Sequence, residues 1–318
     1  MKRFSSIAAL TALLLTAAAC GDDASSSSDT AAADTTSPAT TVPDTTPDTT
    51  SDTTPITIAD DVPQAIVSLS PTATEMLFAI GAGDQVIAVD DYSNYPAEAL
   101  EKPHELSAYE PSIEAIAALE PDLVVASSDI VQAPLEALGI AVWVGPAAES
   151  FDDVYAQIEQ LGAATGHIAE AAELVGQMQA DIAAAVAAVP ETETALSYFH
   201  ELDSTFYSVT SDTFIGQVYG LFGLVNIADG VEEGNQYPQL SAEHIISSAP
   251  DLIFLADTKC CGENADTVAA RPGWNAIPAV ANGGVVEMDD DIASRWGPRI
   301  VDYIQAVADA LNKVSVGA

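Results

Sequence analysis

Positive charge is what this chain has least of. Its 318 residues carry eight lysines and arginines against 48 aspartates and glutamates, a formal net charge of −40. Lys2 and Arg3 sit at the N-terminus, so Lys102, Lys259, Arg271, Arg295, Arg299 and Lys313 are all that serve the rest; from Ala65 onward these six face 39 acids. Acidity of this depth argues against nucleic acid and anionic membrane surfaces as partners, since both repel it. It reads as a solvated surface suited to a salty medium. Histidine is also scarce: His104, His167, His200 and His244 contain no HxxH pair, which speaks against a site for a free metal ion, where several His and carboxylate ligands must converge. There is no GxSxG elbow, phosphate loop or zinc-protease motif, so an enzyme is not expected. The runs Asp90-Asp91 and Asp289-Asp290-Asp291 could serve a hydrolase, but they read more simply as solvated loop charges. Beyond the first twenty residues no stretch is apolar for long enough to span a bilayer.

The N-terminus is built differently from the rest. Lys2 and Arg3 precede an apolar run from Ile7 to Leu15 and then Ala17-Ala18-Ala19-Cys20, so residues 1–20 read as an export signal. A signal ending on Cys20 followed by Gly21 and Asp22 resembles that of bacterial lipoproteins, although Ala17 stands where such signals usually carry leucine. The resemblance implies a lipidated Cys20 at the outer face of the cytoplasmic membrane; conventional cleavage nearby is the alternative. Residues 21–62 are Ser, Thr, Asp, Ala and Pro with repeated DTT, a tract with no apolar face to bury, and read as a disordered tether.

The remainder alternates strand and helix, the pattern of parallel sheet with helical crossovers. Residues 63–164 form an N-terminal lobe with strands at Ala65–Ser70, Val86–Asp90, Asp122–Ala126 and Ala141–Val144. Residues 190–318 form a C-terminal lobe with strands at Ala195–His200, Thr205–Val209, Leu252–Ala256 and Val285–Met288, closed by a helix over Gly297–Leu311. Between them, residues 165–189 carry Ile168, Ala171, Val175, Met178, Ile182, Ala185 and Val189 at alternating spacings of three and four, one apolar stripe on a helix. Thr165 is its expected N-cap and Pro190 its stop, for a length of roughly 37 Å. The fold class is therefore α/β: two α/β lobes joined by one long α-helix, which lacks paired glycine-rich crossings to act as a hinge.

One piece of the chain repeats. PSIEAIAALEPDLVVA, from Pro111, and QLSAEHIISSAPDLIFLA, from Gln239, share a layout at a constant offset: Ser112 with Ser241, Glu114 with Glu243, Pro121 with Pro250, Asp122 with Asp251. Each copy is a serine-capped helix with a first-turn glutamate, then Pro-Asp and an apolar strand. Interaction with the helix dipole, about 0.3–1 kcal/mol at a surface, accounts for one such acid better than for two equivalent ones.

The pieces IVSLSPTATEMLFAIGAGDQVIAVDDYSNYP, SIEAIAALEPDLVVA, YPQLSAEHIISSAPDLI, RPGWNAIPAVANGGVV and DDDIASRWGPRIVD touch both lobes and both ends. Together they resemble the substrate-binding proteins of bacterial ABC importers for iron chelates and cobalamin, the class III periplasmic binding proteins with a rigid interlobe helix. The resemblance implies two lobes facing across a shallow cleft, a ferric siderophore or cobalamin-type corrinoid as ligand, an importer permease with its ATPase as partner, a monomer, and no resident metal or cofactor. It places Tyr92 on the first wall of the cleft and Tyr207, Tyr237, Asp291 and Arg295 on the second, with Tyr109 and Trp296 as further rim residues. Arg295 is the expected clamp for a carboxylate or phosphate edge, because its planar fork binds such groups in pairs. Glu114 and Glu243 are implied to dock on permease arginines, one per lobe. His200, at the end of a strand leading to the cleft loops, is the one histidine considered as a ligand, for example to haem iron; a hydrogen-bonded core histidine is its other reading. Cys260 and Cys261 are adjacent, and in an exported protein a vicinal disulfide is favoured over two free thiols. A sensing or adhesion role for the same binding module is left open by the sequence.

Overall fold

A computed structural model describes residues 62–190 and 194–317, with side chains to residue 314. All belong to one compact unit, Thr57–Ala318. The signal, Cys20 and nearly all of the tether lie outside the described residues.

Each lobe is a four-stranded parallel sheet. In the first, β1 (Ile66–Leu69), β2 (Val86–Val89), β3 (Leu123–Ala126) and β4 (Ala141–Val144) stand in the order β2-β1-β3-β4. In the second, β5 (Ser197–Glu201), β6 (Val225–Asn226), β7 (Leu252–Leu255) and β8 (Val285–Glu287) repeat that order as β6-β5-β7-β8. The helices of the first lobe are α1 (Pro71–Ala79), α2 (Ile113–Ala117), α3 (Gln132–Glu136) and α4 (Phe151–Thr165), and α5 (Ile168–Ala187) follows. The second lobe adds α6 (Phe214–Gly220), α7 (Ala242–Ser248), α8 (Thr258–Cys261), α9 (Ala265–Ala270), α10 (Pro278–Ala281), α11 (Asp290–Ala293) and α12 (Ile300–Gly317). β1, β3 and β7 are buried along their whole length, as strands covered on both faces by crossover helices must be. Among the described residues no helix is long and apolar enough to cross a membrane.

The sequence repeat has a structural cause. Asp122 Oδ2 accepts from the backbone N–H groups of Gln64 (2.8 Å) and Ala65 (3.0 Å), tying the entrance of β3 to that of β1. Asp251 Oδ2 does the same for β5, accepting from Ser197 N (2.8 Å) and Ser197 Oγ (2.9 Å). The residue before each Pro-Asp is left-handed, Glu120 with φ 49° and Ala249 with φ 47°. Ser112 Oγ and Ser241 Oγ each accept from the N–H three residues on, at 3.2 and 3.1 Å.

The interlobe helix differs from its expected form at its start. Thr165 is the last residue of α4, with Oγ1 donating back to Leu161 O at 2.7 Å, and is no N-cap. Gly166, with φ 81°, closes α4 in the left-handed conformation that glycine adopts without strain, and α5 begins two residues later. α5 is thus 20 residues, about 30 Å. Ala171, Val175, Met178, Ile182 and Ala185 form its buried stripe, but Ile168 is 57 % exposed. The stripe packs on α4 in the first lobe and α12 in the second. The approach to α4 is close enough that a Cβ at Gly162 would stand 2.4 Å from that of Ala171. One apolar core runs from the first lobe beneath α5 into the second, from Met76, Leu77 and Ile158 through Met178 and Ile182 to Tyr303 and Ile304.

Thr205–Val209 is not a strand. Phe206 has φ 70°, which breaks an extended run, and only a single bridge, Tyr207 to Gln239, is made there. The fourth strand of this sheet is the two-residue β6. The closing helix is α12, which starts at Ile300 and not at Gly297.

Candidate functional site

Ligands of open parallel sheets bind outside the carboxyl ends of the strands. Here those ends face each other across the lobes. A cavity of about 440 Å³ opens between the segment after β4 (Ala147, Ala148, Glu149) and the segments after β5, β6 and β8 (Asp212 to Ile215, Tyr237, Ala293 to Trp296). Its back is held by cross-lobe contacts. Phe151 at the start of α4 lies 5.2 Å, ring to ring, from Phe214 at the start of α6. Gln217 Nε2 donates to Glu149 O at 2.6 Å, and Trp296 Nε1 donates to Gln157 Oε1 at 3.1 Å.

Beside the cavity lies a charged seam. Glu75, one turn into α1, has a side chain only 1 % exposed. Its carboxylate accepts from Arg295 Nη1 (2.8 Å), from Arg299 Nε (2.9 Å) and from Arg299 Nη2. Arg299 also lies over the Tyr95 ring, 4.2 Å from its centroid. Arg295 has further acceptors: Asn94 Oδ1 (2.9 Å), the Tyr92 carbonyl (3.0 Å) and Asp291 Oδ1 (3.0 Å). The two arginines thus belong to the second lobe and their principal acceptor to the first.

The expected site residues divide on this geometry. Tyr237, Arg295 and Trp296 line the cavity together. Asp291 stands behind Arg295 and also takes Lys259 Nζ at 3.0 Å and Asn94 Nδ2 at 3.1 Å; these partners hold its carboxyl below the usual range against the upward push of burial. Tyr92 and Tyr109 pair edge to face with centroids 5.5 Å apart, both exposed on the first lobe and outside the cavity lining. Tyr207 is exposed on the second lobe and does not line the cavity. Arg295 lines the cavity, but its side chain is only 8 % exposed and both its Nη groups donate to acceptors within the chain. Glu114 and Glu243 are exposed at equivalent helix starts.

Several readings of individual residues also change. Asp90 is no solvated loop charge: it is fully buried and accepts from Tyr92 N and Ser93 Oγ, each at 2.8 Å, fixing the turn that presents Tyr92. Asp290 accepts from the N–H groups of Thr258 (2.8 Å), Lys259 (2.9 Å) and Cys260 (2.8 Å), anchoring α8. Cys260 and Cys261, at the end of that helix, are joined as a vicinal disulfide. His200 is fully buried, its Nδ1 2.7 Å from Tyr219 Oη; burial pushes its pKa down to about 3, so it stands in the core and not in the cleft. Among the described residues no group of three or more His, Cys, Asp and Glu converges to hold a metal.

The sequence reading missed Glu75, Arg299, Gln157, Phe151 and Phe214. Glu75 left a signal: an acid set beside Met76 and Leu77 on a helix that buries both. A larger hollow of about 720 Å³ lies beside the seam, walled by Tyr95, Glu98, Glu101, Arg299 and Asp302, and none of the expected cleft residues opens on it.

Two parallel-sheet lobes, a helix packed across both and a cavity between strand ends define a two-lobed binding protein. Residues 66–292 match the periplasmic binding protein family, and the chain belongs to it. It is 30% identical over 259 residues to the uncharacterized ABC transporter substrate-binding lipoprotein YvrC of Bacillus subtilis, covering 78% of this chain and 80% of that one. It is 31% identical over 273 residues to a cobalamin-binding protein of Halobacterium salinarum, covering 81% and 72%. Among solved structures it superposes on the vitamin B12 binding protein BtuF of Vibrio cholerae with a TM-score of 0.63 at 27% identity, covering 80% and 98%. It superposes on the heme binding protein HutB of the same organism with a TM-score of 0.69 at 26% identity, covering 77% and 98%.

Proposed function

We propose that this protein is the extracytoplasmic substrate-binding component of an ABC importer, capturing a metal chelate in the interlobe cleft and presenting it to a membrane permease. The observation that carries the reading is the cavity between the strand ends of both lobes, with Trp296 and Tyr237 in its lining. Aromatic faces with few polar groups suit a bulky organic chelate. The relatives named for cobalamin and for heme support the same reading. Glu114 and Glu243 are the docking points, two like charges at equivalent places on two lobes facing a two-fold partner. Lipidation of Cys20 holds the protein at the outer face of the membrane, and the protein works as a monomer.

The test is a titration of Trp296 fluorescence with cyanocobalamin, haemin and a set of ferric siderophores, each repeated with Trp296→Phe to assign the signal. One chelate is expected to bind with a dissociation constant of about 1 µM or below. No binding by any of them rejects the reading.

A further inference from the structure

We infer that the cleft takes chelates without net negative charge and that Glu149 and Asp212 enforce this choice. The inference rests on the chelate-binding reading above and adds the charge class of the ligand.

It begins with where the cations are. Arg295 and Arg299 are held by Glu75, and Arg295 also by Asp291. Lys259 Nζ lies between Asp289 (2.7 Å) and Asp291 (3.0 Å). Arg271 is held by Glu201 and Glu263 over the faces of Phe206 and Trp274. Lys102 stands at the hollow beside the seam, and Lys313 against β8 on α12. So of the six basic residues in the folded part, only Arg295 reaches the cavity, and its Nη groups are already directed at acceptors within the chain.

The carboxylates are placed the other way. Glu149 of the first lobe and Asp212 of the second line the cavity from opposing segments, and both residues are exposed. Helix N-termini could have supplied positive potential, but those at this cleft bring their own acids. α4 starts with Asp152 and Asp153, α11 with Asp290 and Asp291, and Asp212 immediately precedes the Thr213 cap of α6. An anionic chelate would therefore enter against two carboxylates with no free cation to meet it. A neutral or cationic chelate meets aromatic faces and two acceptors.

The experiment compares one scaffold in two charge states. Cyanocobalamin, electroneutral, is paired with its monocarboxylate, in which one peripheral amide is hydrolysed; ferrioxamine B, cationic, is paired with its N-succinyl derivative, which is anionic. Affinities are measured by calorimetry on the exported chain at low and high sodium chloride. On whichever scaffold binds, the added negative charge should weaken binding on the order of tenfold or more at low salt, and the gap should shrink as salt screens it. In Glu149→Gln, Asp212→Asn, with an unchanged thermal midpoint as control, the gap should close to about threefold or less at low salt. Equal or tighter binding of the anionic member, or a gap the double variant leaves unchanged, overturns the inference while the chelate reading stands. Binding of haemin, which carries two propionates, with no member of either pair bound overturns the inference while the chelate reading stands; binding by none of these, haemin and the other siderophores included, removes both.

Discussion

Glu75 gives the sharpest test of how the two lobes are held. Glu75→Gln keeps the side chain's shape, but replaces a charge shared by two guanidinium groups with a neutral amide whose N–H donors face other donors. The side chains are nearly dry: 1 % exposed for Glu75, 8 % for Arg295 and 12 % for Arg299. Breaking such a pair by removing one partner costs about 3–5 kcal/mol, because an uncompensated charge stays buried. Arg295 keeps Asp291, Asn94 and the Tyr92 carbonyl, whereas Arg299 keeps chiefly the Tyr95 face, so most of the loss falls on Arg299. For a folded body of this size, about 2–4 °C per kcal/mol gives a fall in Tm of about 6–20 °C. The assay is thermal and urea unfolding followed by circular dichroism and tryptophan fluorescence. Lys259→Ala, which removes a half-exposed pair, is the comparison and should change stability by no more than about 1 kcal/mol. Replacing the triad by Glu75→Leu, Arg295→Met and Arg299→Met should recover much of the loss, since apolar side chains of similar volume need no counter-charge. If Glu75→Gln matches the wild type within the error of Lys259→Ala, the seam does not hold the lobes and the reasoning is wrong.

Two other outcomes follow from the same structure. Burial, then the charges of Glu201 and Glu263, pushes the Asp257 carboxyl from 3.8 up to about 7, so between those values the folded protein keeps a proton that the unfolded chain has released. Stability is then lost as pH rises through that window, and Asp257→Asn should gain on the wild type by up to about 1.4 kcal/mol per pH unit, read from urea midpoints; a constant difference refutes it. His200, pushed down to about 3 by burial, gives the opposite slope below its usual 6.5, so the wild-type profile alone will be flatter than either contribution. For docking, the Glu114→Arg, Glu243→Arg double variant should bind ligand normally yet fail to drive uptake in vesicles holding permease and ATPase, and full transport would return both glutamates to a capping role.

What could be read from the sequence was whatever local chemistry announces itself. The Pro-Asp repeat was legible because each aspartate performs the same job at a strand entrance, and that job fixes the residue type. The apolar stripe of α5 was legible from Ala171 to Ala185, where periodicity and burial coincide. Its start was not, because one left-handed glycine is enough to end a helix, and the apolar period runs across Gly166 almost unbroken. α4 itself was overlooked although Ser150 caps it and Val154, Ile158 and Leu161 line its buried face. β6 was out of reach: two residues carry no period. In the site, the rim aromatics came from resemblance, while the seam is a contact between residues some 220 positions apart. No local pattern signals such a contact.

The role of Arg295 turns on how the shortage of cations is interpreted. Scarcity suggests at first that a lone arginine near a cleft must serve the ligand. Yet with 39 acids against six bases in the folded part, both lobes carry like charge, and bringing them together costs repulsion. Two guanidinium groups on Glu75 and Asp291 offset that repulsion where the lobes meet. The shielding of the two terms also differs. At 1 M salt the screening length is about 3 Å, so repulsion between the exposed acidic faces fades while the dry seam keeps most of its attraction. The balance therefore moves toward association as salt rises. A seam arginine exchanged for lysine would weaken it, since one ammonium cannot satisfy Glu75, Asn94 and the Tyr92 carbonyl from a single flat fork. On this account the cation nearest the cleft holds the two lobes together.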